Sequence, residues 1–170
     1  MKKIVFISLF ALSSCNLVIP EVPPDSHVQA ALDKMYLHER KDNEELQDYL
    51  DINPARTEWC AAFVNAVLHE KGIPGSESVS DYPLMARSFL RWGESVDEPL
   101  LGDVVIFPRG DQGWQGHVGF YTMTSADGKY YYILGGNQND RVTIEMYPVS
   151  LALDIRRSSK FLTHQTQIDD

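Results

Sequence analysis

The hydrophobic pattern of the chain changes near Pro99, and this change constrains the fold more than any other feature of the sequence. Before Pro99 the apolar residues recur at helical spacing, most clearly over residues 58–71. After it, β-branched and aromatic residues dominate four segments separated by turn residues, which predicts strands at residues 103–107, 117–123, 130–134 and 142–147. Helices followed by hairpin-connected strands predict an α+β fold with an antiparallel sheet.

Four segments before Pro99 are candidate helices. The pattern predicts them at residues 28–36, with Ser26 or Asp25 as the cap, and at residues 44–50, 58–71 and 83–92. Gly72 and Gly93 follow the last two segments, where glycine commonly ends a helix.

The N-terminus has the order of residues found in export signals. Two lysines precede an apolar run over residues 4–12, which is too short to cross a bilayer as a permanent helix. The run ends in Leu-Ser-Ser-Cys, which resembles the lipobox of bacterial lipoproteins. We therefore expect a signal peptide over residues 1–14 and a lipid, such as palmitate, on Cys15; an ordinary cleaved signal is the alternative. Residues 15–27 would form a tether, residues 28–157 the folded domain and residues 158–170 a polar tail.

The net charge and the cysteine content limit the kinds of partner and chemistry that the chain can have. The net charge of −9 would become −11 on maturation, because residues 1–14 carry two lysines and no acidic residue. So acidic a domain is a poor partner for nucleic acid or anionic lipid. If Cys15 carries a lipid, Cys60 has no disulfide partner, and a lone thiol in an oxidising compartment is most simply explained as a nucleophile.

Cys60 is placed at the predicted start of the helix over residues 58–71. Thr57 can cap this helix, so the sulfur would lie in the first turn, near the positive end of the helix dipole. A thiol so placed ionises more easily, and the thiolate is the nucleophile. The alternative is a small buried hydrophobic side chain beside Phe63.

His117 and Asn137 are the candidate partners of this thiol. His117 starts a predicted strand after a glycine-rich loop, and Asn137 ends the next strand, so a hairpin would make them cross-strand neighbours. The amide could accept the Nδ1–H bond and leave Nε2 to take the thiol proton. The alternatives are a structural histidine and a simple turn asparagine. The remaining histidines have polar neighbours and are expected to be solvated: His27, His38, His69 and His164.

Four motifs in this order resemble the CHAP and NlpC-type cysteine hydrolases of bacterial and phage cell-wall enzymes. They are Trp-Cys-Ala-Ala-Phe-Val-Asn at residues 59–65, Gly-Asp-Val-Val-Ile-Phe at 102–107, Gly-His-Val-Gly-Phe-Tyr at 116–121 and Leu-Gly-Gly-Asn-Gln at 134–138. The similarity covers roughly residues 28–157. It implies a papain-like α+β fold, in which the cysteine heads a helix packed on an antiparallel sheet of about four to six strands.

The same resemblance implies chemistry for the candidate residues. Cys60 would be the nucleophile, His117 the base and then the acid, and Asn137 the residue that orients the imidazole, in the hydrolysis of peptidoglycan amide bonds through a thioester. The backbone N–H of Cys60 would stabilise the oxyanion. Four side chains could contact substrate, although a first-turn helix charge and core or rim aromatics are the alternatives: Glu58, Trp59, Tyr82 and Trp114.

The sequence thus predicts a lipid-anchored, monomeric hydrolase of the cell envelope, facing the periplasm and preferring the outer membrane. Its partners would be peptidoglycan and, through the lipid on Cys15, a membrane. We expect no metal and no other cofactor, because His117 has no histidine or cysteine at ligand spacing. Two alternatives remain open: an acyltransferase on the same scaffold, and a non-catalytic lipoprotein that binds the wall or a protein.

Overall fold

Three α-helices form a layer on one face of a six-stranded antiparallel sheet in the computed structural model of the protein, which describes residues 21–160. The α+β prediction is therefore confirmed. The lipobox, the first part of the tether and most of the polar tail lie outside the described residues. No helix between residues 21 and 160 combines the length and the apolar character needed to cross a membrane.

The helices are α1 (His27–Leu32), α2 (Asn43–Leu50) and α3 (Cys60–Glu70). Ser26 caps α1 as predicted, since its hydroxyl accepts the backbone N–H of Gln29 at 3.1 Å. α1 ends four residues before the predicted end. The predicted helix over residues 83–92 is instead a 3₁₀ segment, Ala86–Arg91.

The sheet contains all four predicted strands and two that the pattern did not predict. Its strands are β1 (Glu94–Ser95), β2 (Val104–Pro108), β3 (Gly116–Thr124), β4 (Tyr130–Gln138), β5 (Arg141–Pro148) and β6 (Asp154–Arg157). They lie in the order β1-β6-β2-β3-β4-β5. β1 and β6 were missed because they are short and mostly polar, and their pairing depends on tertiary contacts.

An ion pair fixes β6 in the sheet. Arg157 donates from Nε to Asp103 Oδ1 at 2.9 Å and from Nη2 to Asp103 Oδ2 at 2.7 Å, and both side chains are largely buried. The same carboxylate accepts the backbone N–H of Leu100 at 2.7 Å. Paired in this bidentate way, the charges join the last strand to the loop that precedes β2.

The core divides between the two faces of the sheet. Alternate residues of β2 and β3, such as Ile106 and Phe120, pack under the helices, and α3 contributes seven buried apolar residues to that layer. His27 belongs to the same layer: it is buried, its Nε2 lies 2.8 Å from the Gly102 carbonyl oxygen, and its ring meets Phe120 edge-on. The prediction that His27 is solvated is therefore wrong.

Candidate active site

Cys60 is the first residue of α3, and its sulfur lies against β3. The backbone N–H groups of Val118 and Ala61 both face the sulfur and act to lower the pKa of the thiol, so the sulfur lies near the residue that directly follows His117. Only 3% of Cys60 is exposed. The predicted Thr57 cap is not formed; Trp59 occupies the cap position, and its side chain makes no capping hydrogen bond.

The ionisation of this thiol differs from the prediction. Burial raises the pKa of Cys60, and this effect exceeds the lowering by the Val118 N–H, by the positive charge of Arg109 and by the Ala61 N–H. Desolvation therefore outweighs the helix terminus, and the resting side chain is a neutral thiol. The expectation that Cys60 ionises readily was based on the helix terminus alone. It failed because the sheet that packs against the helix buries the thiol.

His117 is the second residue of β3 and is held on two sides. Its ring stacks on Tyr147 with centroids 5.0 Å apart, and Tyr147 stacks in turn on Phe107 at 4.7 Å. Its Nε2 lies 3.1 Å from Oε1 of Gln138. Its Nδ1 is the one buried side-chain nitrogen or oxygen in residues 21–160 that has no hydrogen-bond partner.

The bonds of Gln138 define the tautomer of His117. Nε2 of Gln138 donates to the Thr143 carbonyl oxygen at 2.6 Å and to the Gly135 carbonyl oxygen at 3.3 Å, so Oε1 is the acceptor that faces the ring. The imidazole must then donate from Nε2, which leaves the lone pair on Nδ1. Burial, and to a smaller extent the Arg109 charge, lowers the pKa of His117, the bond to Gln138 raises it, and the net result is a pKa of about 4. The ring is therefore neutral near pH 7.

The predicted hydrogen bond between Asn137 and His117 is wrong, and so is the predicted use of the ring nitrogens. Asn137 instead donates from Nδ2 to Glu58 Oε2 at 2.7 Å. Its φ is +55°, and the β4–β5 register shifts between Gly135 and Gln138. This local twist turns the asparagine away from the ring and directs Gln138 to it. The last residue of the Gly-Gly-Asn-Gln motif is thus the one that orients the imidazole.

Two clefts open beside the thiol and the imidazole. The thiol cleft encloses about 400 Å³, and its lining includes Cys60, Glu58, Leu84, Arg109 and Trp114. The imidazole cleft encloses about 300 Å³, and its lining includes His117, Arg109, Asn137, Glu145 and Tyr147. Arg109 lines both clefts, and its charge acts on both the Cys60 thiol and the His117 imidazole.

The four predicted substrate contacts separate into two pairs. Glu58 and Trp114 are exposed and line the thiol cleft. Tyr82 is exposed but lines neither cleft. Trp59 is fully buried and donates from Nε1 to Glu39 Oε2 at 3.2 Å, so the prediction that it contacts substrate is wrong. A Cβ on Gly136 would lie 2.5 Å from Cζ3 of the Trp59 ring, which explains the glycine: Trp59 packs against the backbone of β4.

The N-terminus of α3 offers backbone donors next to the sulfur. Phe63 is the first residue of the helix whose N–H bonds back along the chain, to the Trp59 carbonyl oxygen at 2.9 Å. Cys60 precedes Phe63 in the first turn, so its N–H is suitably placed to donate to an oxyanion. This role of the Cys60 N–H remains a prediction. Sequence reasoning missed Arg109, Gln138 and Tyr147; only Gln138 lay in a motif that could have revealed it.

Comparison with known families agrees with this arrangement. A family model described as the CHAP domain matches residues 52–137, half of the chain, including Cys60, His117 and Asn137. None of the curated proteins compared with the chain matches it. The family match confirms the resemblance inferred from the four motifs. The chain belongs to the CHAP domain family, whose members are typically peptidoglycan hydrolases or amidases.

Proposed function

We propose that this protein hydrolyses amide or peptide bonds of peptidoglycan with Cys60 as the nucleophile. The observation that carries the proposal is the imidazole of His117: Gln138 and Tyr147 hold it, and its unpaired Nδ1 is buried one residue from the N–H that meets the Cys60 sulfur. An unsatisfied buried nitrogen is costly, so its presence on the strand that packs against Cys60 favours a role in proton transfer.

The first half-reaction forms a thioester. Nδ1 of His117 takes the thiol proton while the Cys60 sulfur attacks the carbonyl carbon, and the oxyanion accepts the backbone N–H at the start of α3. When the tetrahedral intermediate collapses, the C–N bond breaks and Nδ1 returns its proton to the leaving nitrogen. The amine departs, and the acyl group stays on sulfur.

The second half-reaction restores the enzyme. Nδ1 takes a proton from water, the hydroxide oxygen bonds to the thioester carbonyl, and the C–S bond breaks as sulfur recovers the proton. Both resting groups are neutral, because burial raises the pKa of Cys60 and lowers that of His117. The proton therefore moves as substrate reacts, rather than residing beforehand in a thiolate–imidazolium pair.

The direct test is digestion of purified sacculi by the full chain, followed by mass spectrometry of the released fragments. Hydrolysis is expected to generate one new carboxylate and one new amine for each bond cut. The identity of the fragments reports which bond is cleaved. Products in which the carboxylate is instead joined to another amine would contradict hydrolysis and support the acyltransferase alternative.

The acid limb of the pH profile of kcat/KM should lie at an unusually low pH. Below its pKa of about 4, His117 carries a proton on Nδ1 and cannot accept the thiol proton. We expect kcat/KM to be retained down to about pH 5 and to fall about tenfold for each pH unit well below 4.

The pH measurement needs a stability control. Between pH 6.5 and about 4 the unfolded chain binds a proton that the buried His117 does not, so the stability contribution of this group falls as the pH falls through that window. Rates should therefore be compared only where the circular dichroism spectrum is native. An acid limb centred near pH 6.5 in folded protein would contradict a desolvated, neutral base.

Burial of Cys60 favours one competing function, a non-catalytic protein that uses the same clefts to bind the wall. Its discriminator is alkylation of native protein by iodoacetamide. We expect iodoacetamide to alkylate Cys60 in the native protein, and muropeptides that fill the cleft to slow this alkylation. The pH midpoint of the alkylation rate should lie above the ordinary pKa of a thiol. Binding without catalysis would be favoured if Cys60 were alkylated only after unfolding and if the protein left the sacculi undigested.

Membrane attachment is a separate proposal that rests on the sequence. We propose that Cys15 is acylated and that the protein is held at the cell envelope, with the catalytic domain reaching peptidoglycan through the tether over residues 15–27. The mass of the mature N-terminal peptide tests this proposal. An unmodified Cys15, or a cut elsewhere, would contradict it.

A further inference from the structure

Two hydrogen-bond donors converge on a single carboxylate oxygen at the rim of the clefts. Oε2 of Glu58 lies 2.7 Å from Nδ2 of Asn137 and 3.4 Å from Nη1 of Arg109. An amide N–H bonded to a carboxylate oxygen and a guanidinium ion-paired with the same oxygen are the groups expected in a carboxylate-binding site. The side chain of Glu58 occupies this site in the resting protein.

The carboxylate that fills the site is easily displaced, whereas one of its donors is fixed. The Glu58 side chain is 79% exposed and that of Arg109 is 44% exposed, so their ion pair is a surface pair of small net stability. Asn137 is only 7% exposed and belongs to the twisted end of β4. If Glu58 rotates into solvent, the Asn137 amide keeps its place and needs a new acceptor.

The position of the site connects it to the reaction. Arg109 lines the thiol cleft and the imidazole cleft, and its charge lowers the pKa of both Cys60 and His117. Among the described residues that line the two clefts, it is the only lysine or arginine. In an acidic protein, a substrate anion that enters either cleft therefore meets one attractive charge, adjacent to the reacting groups.

The geometry points to Arg109 and Asn137 as the binding site for a free carboxylate of the substrate peptide, next to the scissile bond. Glu58 fills this site in the absence of substrate and competes with the substrate carboxylate. The inference rests on the proposed function and adds a specificity: peptidoglycan peptides with a free carboxylate beside the scissile bond are cleaved in preference to their carboxamide forms.

The test compares two synthetic muropeptides that differ only by carboxylate or carboxamide beside the scissile bond. For the native protein we expect kcat/KM to favour the carboxylate form by about tenfold or more, the effect of one charge-assisted contact. Arg109→Gln should bring this ratio close to one. Glu58→Gln should increase the ratio, because the internal competitor loses its charge. Arg40→Gln is the matched control, since Arg40 is exposed, pairs with a neighbouring glutamate and lines neither cleft.

The ratio is the deciding measurement because Arg109 also affects the pKa of both reacting groups. A loss of rate that is equal for both substrates in Arg109→Gln would overturn the carboxylate site. Binding of the same two muropeptides to Cys60→Ala protein, measured by calorimetry, separates this inference from the proposed function. Preferential binding of the carboxylate form without turnover by native protein would refute hydrolysis and retain the site; turnover without preference would refute the site and retain hydrolysis.

Discussion

Replacing Cys60 with alanine is expected to lower muropeptide turnover by about 10⁴-fold or more, because no other group can form the thioester. The expected change in stability is small, about 1 kcal/mol, since the substitution removes one sulfur atom from a buried site. Turnover is measured by chromatography of muropeptides, and the free energy of unfolding by urea titration. Cys60→Ser provides a second variant of nearly native shape.

A matched control lies at the other end of the same helix. His69 is in the last turn of α3, is substantially exposed and bonds to Glu77 rather than to either cleft. His69→Ala should retain turnover within about twofold, as surface substitutions remote from a site usually do. Native turnover in folded Cys60→Ala would rule out the cysteine mechanism.

Replacing Gln138 with leucine is expected to lower kcat by about 10²-fold or more, because the imidazole loses the acceptor that fixes its tautomer. Gln138→Glu keeps an acceptor for the His117 Nε2–H but loses the N–H that donates to the Thr143 and Gly135 carbonyl oxygens, so we expect it to recover only part of that rate. Its negative charge favours the imidazolium, so the acid limb of kcat/KM should move to higher pH. A purely structural role for Gln138 would not produce this shift.

Asn137→Ala gives the contrasting result, since Asn137 contacts Glu58 and not the imidazole. We expect this variant mainly to raise KM for substrates with a free carboxylate, whereas Gln138→Leu mainly lowers kcat. Steady-state kinetics of both variants, with circular dichroism to verify folding, separate the two roles. If Asn137→Ala instead lowered kcat and Gln138→Leu did not, the assignment of the orienting residue would be reversed.

The fold class was predictable because its signals are local. The strands from β2 to β5 are dense in β-branched and aromatic residues, and α3 has an apolar face followed by glycine. β6 has the sequence Asp-Ile-Arg-Arg, and its position depends on the ion pair between Arg157 and the distant Asp103. The pattern of these four residues alone does not indicate that Arg157 pairs with an aspartate far away in the sequence.

The sequence motifs were enough to identify candidate residues of the site, but not their hydrogen-bond partners or their ionisation. Cys60 and His117 were identified from their neighbours, and the structure brings their elements into contact. The orienting residue was displaced by one position, because hairpin geometry alone does not show the positive φ at Asn137. The ionisation of Cys60 depends on burial by β3, and the significance of Arg109 depends on two clefts that only the folded chain forms.

The place of β6 in the sheet has a consequence for the timing of folding. β6 lies between β1 and β2, although it follows both by dozens of residues, so the sheet cannot be completed before the segment up to Arg157 is available. A chain threaded through a membrane with its N-terminus first would reach this step late. Until then β2 keeps an unpaired edge, and the loop that holds Asp103 lacks its arginine. In a chain exported with its N-terminus first, the order of the strands would thus delay completion of the domain until most of it had crossed the membrane.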